Sequence, residues 1–153
     1  MENAANSVAP VYSIGTVARM LEISVHTIRM YEREGLIVAY KSTGNQRWYS
    51  KADIERIQCI RRGINQHKMS IEGIKRMQAL IPCWQIIGCS KKEREGCEAY
   101  KNHDKGCWAY KHANTTCVER DCRLCEVYQM SADCEKIKDT LIKVINHEYT
   151  LSA

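Results

Sequence analysis

The stretch Ser24–Gly35, S-V-H-T-I-R-M-Y-E-R-E-G, decides how this chain is read. Ser24 suits a helix N-cap, because its hydroxyl can accept from an unsatisfied backbone N–H of the first turn. Val25 and Ile28 point one way, toward a core. His26, Thr27, Arg29, Tyr31 and Arg33 lie round the other faces. Gly35 can take the left-handed conformation that ends a helix. A short helix with a basic, hydrogen-bonding face is what the major groove of DNA admits and reads.

Upstream, residues 1–11 are small and polar and read as a disordered lead. A helix is expected at about Ser13–Leu21, where Ile14, Val17, Ala18 and Leu21 keep i, i+3, i+4, i+7 spacing. Glu22-Ile23 is then a turn into Ser24, so the two helices form a helix-turn-helix or a plain αα-hairpin. Downstream, Leu36, Ile37, Val38 and Tyr40 are strand-forming, Lys41–Asn45 is a turn cluster, and Arg47-Trp48-Tyr49 resumes an extended pattern. The pattern predicts a winged hairpin with a basic tip. Lys41 and Arg47 would flank a nucleic-acid backbone, and Trp48 would face the core. Ser50-Lys-Ala-Asp53 is an S-x-x-D cap for a third helix. Ile54, Ile57, Ile60 and Ile64 line its inner side, Arg56, Arg61 and Arg62 face outward, and Gly63 breaks it. Ser70 caps a fourth helix with Ile71, Ile74, Met77 and Ile81 inward, and Pro82 stops it.

Charge and cysteines divide the chain at one place. Of 153 residues, 44% are hydrophobic and 27% charged, within the range of globular chains. The formal net charge is +5, and residues 1–81 carry all of it, with 12 Lys and Arg against 7 Asp and Glu. That fits a polyanion-binding first half. No apolar run approaches the roughly 18 residues that cross a membrane, and the N-terminus does not read as a secretory signal. A cytoplasmic location with no membrane partner is expected. Cys59 stands alone in the first half and reads as a small buried hydrophobe.

The segments Y-S-I-G-T-V-A-R-M-L-E-I-S-V-H-T-I-R-M-Y-E-R-E-G-L-I, N-Q-R-W-Y-S-K-A-D-I-E-R-I and M-S-I-E-G-I-K-R-M-Q-A-L together resemble a MerR-type transcriptional regulator over about Tyr12–Ile81. The T-I-R-M-Y-E form is closer to the heat-shock-repressor branch than to the metal-sensing members. The resemblance implies a dimer bound to pseudo-palindromic double-stranded promoter DNA, which it distorts, with RNA polymerase as a further partner. It also implies His26 and Thr27 near base edges, Arg29 and Tyr31 on phosphates and sugars, and Arg47 and Tyr49 of the wing on the backbone.

After Ile81 that pattern ends and a cysteine-rich module begins, spanning residues 82–130. Counting on to Cys134, the spacing is C-x5-C-x7-C-x9-C-x9-C-x4-C-x2-C-x8-C. The candidate metal ligands are Cys83, Cys89, Cys97, Cys107, Cys117, Cys122, Cys125 and Cys134. Only Cys122–Cys125 has the C-x2-C spacing that chelates one centre from a tight turn. Soft thiolates select zinc, copper(I) or iron–sulfur clusters. An iron–sulfur cluster leads, structural zinc is the alternative, and disulfides or free redox thiols come third. Cys97-Glu-Ala-Tyr100, Cys107-Trp-Ala-Tyr110 and Cys125-Glu-Val-Tyr128 form a degenerate repeat whose aromatics shield the sulfurs or fill a small core. The C-W and C-x-A-Y arrangement is similar to small cysteine-rich modules attached to bacterial signalling proteins. His103 and His112 read as surface histidines. A last helix is expected over 131–149, capped by Ser131, with Ile137, Leu141, Val144 and Ile145 as its apolar stripe, serving as a dimerisation element or packing on its own domain.

The expected fold is mainly α: a winged helix-turn-helix domain over 12–81, a small metal- or cluster-stapled module and a C-terminal helix. The expected function is a DNA-binding transcriptional regulator whose module senses redox state, oxygen or iron. A regulator with a purely structural zinc module is the alternative. A DNA-tethered iron–sulfur or thiol oxidoreductase is a third reading. No nucleotide fingerprint, P-loop or Ser/His/Asp order points to an enzyme.

Overall fold

The structure is a computed structural model that describes residues 4–148. Residues expected to form a featureless lead carry a one-turn helix, α1 (Ala4–Ser7), and the Val8 carbonyl accepts from Arg123 at 2.7 Å. Strand β1 (Tyr12–Ser13) follows, then α2 (Ile14–Leu21) and α3 (Val25–Arg33). Ser13 and Ser24 cap the two helices, each accepting from the backbone N–H three residues on. Glu22 adopts a left-handed φ of 54° to end α2, and Gly35 at φ 75° turns the chain after α3.

The wing is shorter than its sequence pattern. Strands β2 (Tyr40–Lys41) and β3 (Arg47–Tyr49) pair antiparallel with Lys41 opposite Arg47, and β1 pairs with β3 on its other side. Leu36 and Ile37 are buried in the core, and the Val38 N–H donates to the Tyr128 hydroxyl at 2.9 Å. Residues 36–38 are therefore a buried linker, and the ladder begins only at Tyr40.

Helix α4 (Lys51–Asn65) starts in a capping box between Ser50 and Asp53 and runs through Gly63, which does not break it. Gly63 is buried in the middle of that packing, where an added Cβ would meet Ile74 at 3.5 Å. Helix α5 (Ile71–Ala79) is capped by Ser70. One core gathers Val17, Ile28, Leu36, Tyr49, Ile57 and Ile74 from these elements.

The cysteine-rich part is a chain of short turns: α6 (Cys83–Ile87), α7 (Lys91–Gly96), α8 (Glu98–Lys101), 3-10 turns at Cys107–Ala109 and Cys122–Leu124, and α9 (Glu126–Met130). A second core joins Ile81, Ile86, Trp108, Val127, Tyr128, Ile137 and Val144. Val38 and Met77 of the first half pack against it, so the two halves share a seam.

The last helix differs from expectation. Ser131 closes α9 as its C-cap and does not open a new helix. A 3-10 turn at Cys134–Lys136 leads into α10 (Ile137–Ile145), nine residues long. Ile137, Val144 and half-buried Leu141 pack on the second core, while Ile145 is 73% exposed. Tyr149, the expected helix end, lies outside the described residues. Cys134, expected as a metal ligand, is joined by a disulfide to Cys59, which is therefore not a spare hydrophobe. The bond ties α4 to the segment before α10 across 75 residues of sequence. Closing a loop of that length stabilises by roughly 4 kcal/mol in the chain-entropy picture. Urea unfolding with and without a reductant should differ by an amount of that order; coincident curves would show that the bond contributes nothing.

Candidate nucleic-acid interface and cysteine centre

Helix α3 presents His26, Arg29 and Arg33 to solvent, with Thr27 half-buried. The Thr27 hydroxyl lies 2.9 Å from the Ser24 hydroxyl, so part of its hydrogen-bonding capacity is used locally in the cap. Arg29 shares a groove of about 430 Å³ with Asn45, Gln46, Arg47 and Trp48 of the wing. The groove is the concave surface between reader helix and hairpin.

Two expected contacts are reversed. Tyr31 is 3% exposed and Tyr49 fully buried, so neither reaches a phosphate. Burial pushes the Tyr31 phenol up, against the pull of Arg61 beside it, and raises Tyr49 further still. Trp48, expected in the core, is half-buried and lines the groove. The reason is strand alternation: once Tyr49 turns inward, its neighbour must turn outward.

Glu32 is a feature that residue type alone did not flag. Its carboxylate accepts from Arg47 Nε at 2.5 Å and lies 3.8 Å from Lys41 Nζ. Hydrogen bonding to Glu32 is the main cause that raises the Arg47 pKa. One acid on α3 thus holds both basic residues of the wing.

Behind this face, Trp108 and Tyr128 of the cysteine-rich half and Arg56 of α4 hold the linker between α3 and the wing. Trp108 Nε1 donates to the Gly35 carbonyl at 2.8 Å, Arg56 Nη1 to Leu36 O at 3.4 Å, and Val38 donates to Tyr128. Arg56, expected on the surface, is 2% exposed. Its guanidinium also bonds Tyr128 O and, at 2.8 Å, Ser131 Oγ. It stacks 3.7 Å from the centre of the Tyr128 ring and 5.1 Å from that of Trp108. Desolvation lowers its pKa, partly opposed by Tyr128, Asp53 and Cys107.

Of the candidate ligands, Cys83, Cys107, Cys117, Cys122 and Cys125 surround one cavity of about 20 Å³, together with His112. His112 is therefore not a surface residue. Its Nδ1 lies 3.9 Å from Cys97 Sγ and its Nε2 3.0 Å from the Cys107 carbonyl. His103 is exposed as expected. The neighbouring thiols of Cys83 and Cys107 act on each other, which lowers the pKa of Cys83 and raises that of Cys107. Burial raises Cys89, Cys122 and Cys125, and pushes Cys117 up to about 12. Among the described residues, no three His, Cys, Asp or Glu stand as ligands about a single point. The thiols wall a space, and filling it with a cation requires them to lose protons and draw in.

Residues 12–80 match the family described as MerR HTH family regulatory protein. This segment is a MerR-type helix-turn-helix domain. A Streptomyces coelicolor protein named for heat shock, HspR, is 32% identical to the chain over 68 residues, covering 44% of this chain and 45% of that protein. The chain thus spans less than half the length of the curated relative it matches. No solved structure matches the chain. The cysteine-rich half lies outside the match, and its reading rests on its own residues. Among the described residues, no helix is long and apolar enough to cross a membrane.

Proposed function

We propose that this protein is a DNA-binding transcriptional regulator that binds a pseudo-palindromic promoter site as a homodimer, with RNA polymerase as a further partner. In this reading α3 enters the major groove with His26 and Thr27 toward base edges. Arg29, Arg33, Lys41 and Arg47 take the phosphates, and Trp48 joins them on the wing. The exposed Ile142 and Ile145 of α10 are the candidate dimer contact. The cysteine module holds an iron–sulfur cluster whose gain, loss or oxidation signals redox state, oxygen or iron.

The observation that carries this reading is the hold on residues 35–38. Two hydrogen bonds tie the module to the backbone that joins reader helix to wing, Trp108 Nε1 donating to the Gly35 carbonyl and the Val38 N–H donating to the Tyr128 hydroxyl. A change at Cys107 moves Trp108, and Trp108 holds Gly35. A shift in DNA affinity of five- to about a hundred-fold needs only some 1–3 kcal/mol of bias. Electrophoretic titration of promoter DNA with cluster-loaded, oxidised and metal-stripped protein tests it. Affinity should differ between the forms; equal affinity and equal distortion would overturn the sensing role and leave DNA binding standing.

The small cavity favours a second reading, in which a single structural zinc replaces the cluster. About 20 Å³ is room for one ion, whereas a cluster needs the turns carrying Cys107 and Cys122 to stand further apart. Colourless protein with stoichiometric zinc would select this reading.

The clamp at Glu32 yields a prediction on the DNA side. Glu32→Gln removes the competing negative charge and releases Arg47 and Lys41 to phosphate. The salt dependence of binding should steepen by about 0.9 in log–log slope for each phosphate gained. Arg47→Ala should flatten it similarly and leave Glu32 facing the backbone, weakening binding to every sequence. Salt titration of both variants is the check: an unchanged slope in Arg47→Ala would show that Arg47 does not touch DNA, and an unchanged slope in Glu32→Gln that Glu32 withholds no phosphate contact.

A further inference from the structure

We infer that Cys83, Cys107, Cys122 and Cys125 form one four-thiolate site for a soft metal centre, and that Cys89, Cys97 and Cys117 are not its ligands. The inference rests on the reading that the module binds metal and adds to it the partition of the thiols.

Position separates the two sets. The four named cysteines pack against the second core beside Ile86, Trp108, Val127 and Tyr128, and the other three do not. Cys83 opens α6, Cys107 and Cys122 each open a 3-10 turn, and Cys125 caps α9. Segments far apart in sequence thereby meet at one cavity. Cys122 and Cys125 supply the chelating C-x2-C pair, and Cys83 and Cys107 line the same cavity.

Cys117 lines the cavity wall but does not pack on the second core. Cys97 is drawn to His112. Cys59 and Cys134 are joined to each other.

Charge supplies an independent argument. Arg56 is a buried cation whose hydrogen bonds go to two carbonyls and a hydroxyl, all neutral. The Asp53 carboxylate is occupied by the Ser50 N–H and hydroxyl at 2.7 and 2.8 Å. Four thiolates around a divalent ion carry a net charge of about −2. A centre of that charge adds to the field of Asp53, the carboxylate that already acts on the buried Arg56 guanidinium. The ligand set, the core and the reader-helix linker then meet at one residue.

The test uses the full chain purified without oxygen and loaded either with ferrous iron and sulfide or with zinc alone. Metal per chain is measured, and free thiols are alkylated and located by mass spectrometry. In the loaded wild type, Cys83, Cys107, Cys122 and Cys125 should resist alkylation, and Cys89, Cys97 and Cys117 should react. Single Ser replacements of the first four should each lose most of the metal, and those of the other three should keep it. A visible thiolate-to-iron absorption marks the iron–sulfur form, and its absence with bound zinc marks the other. Wild-type protein that takes up neither metal defeats the underlying metal-binding reading. Metal uptake that protects Cys89, Cys97 or Cys117 in place of the four defeats the partition alone. The alkylation pattern is read on wild-type protein, so it stands even where a Ser variant fails to fold.

Discussion

Replacing Arg56 by Ala is expected to lower the unfolding free energy by about 3–5 kcal/mol, the scale seen when one member of a buried charged network is removed. The replacement leaves the Leu36 carbonyl without its donor and removes one donor from the Tyr128 carbonyl and the Ser131 hydroxyl, which stay bonded to each other. It also opens a cavity against the faces of Tyr128 and Trp108. The orphaned buried acceptor costs about 1–3 kcal/mol, and the cavity adds a loss of similar size. Arg56→Met separates volume from charge, because it refills the cavity without donating. Urea unfolding of both variants decides the matter. Arg56→Met should recover part of the loss. A loss below about 1 kcal/mol for Arg56→Ala would mean that the guanidinium is not the tie between the halves.

Gly35→Ala is expected to cost about 2–4 kcal/mol and to uncouple the module from the reader helix. Two separate effects add. Gly35 sits at φ 75°, where an L-residue with a Cβ pays about 1–2 kcal/mol. The new Cβ would stand 2.8 Å from the Cβ of Ala109, a distance that forces the two segments apart at about 1–3 kcal/mol. Ala109→Gly in the same chain removes the overlap and leaves the backbone strain. The double variant should therefore regain roughly half of the lost stability, whereas additive losses would show that the two residues do not touch. Trp108 Nε1 bonds the Gly35 carbonyl, so the same displacement loosens the grip on the linker. DNA affinity in the single variant should then no longer differ between loaded and stripped protein.

Local signals were legible where they depended on near neighbours. Ser24, Ser50 and Ser70 all cap helices, because a cap needs only a hydroxyl and a backbone N–H three residues on. The hairpin was readable for the same reason, although its first strand begins only at Tyr40. The errors fall where a residue's surroundings come from elsewhere. Arg56 has the type of a surface residue, yet its partners stand 20, 72 and 75 positions away. Cys59 looked like a lone hydrophobe because its partner, Cys134, lies in the other half. Tyr49 and Trp48 exchanged roles because β3 also pairs with β1, and that pairing sets which face is covered. Ser131 reads as an N-cap by type, but the Arg56 guanidinium and the end of α9 claim it first.

By itself, the sequence determined the order of the helices in the first half, its basic bias and the presence of a cysteine-rich module, all from spacing and residue type, and its motifs carried the resemblance to MerR-type regulators. Only the tertiary structure decided which thiols meet, which arginine is buried and where the module touches the reader helix. Those properties depend on contacts between residues far apart in the chain, and such contacts form only when the hydrophobic seam shared by Val38, Met77, Trp108 and Tyr128 closes.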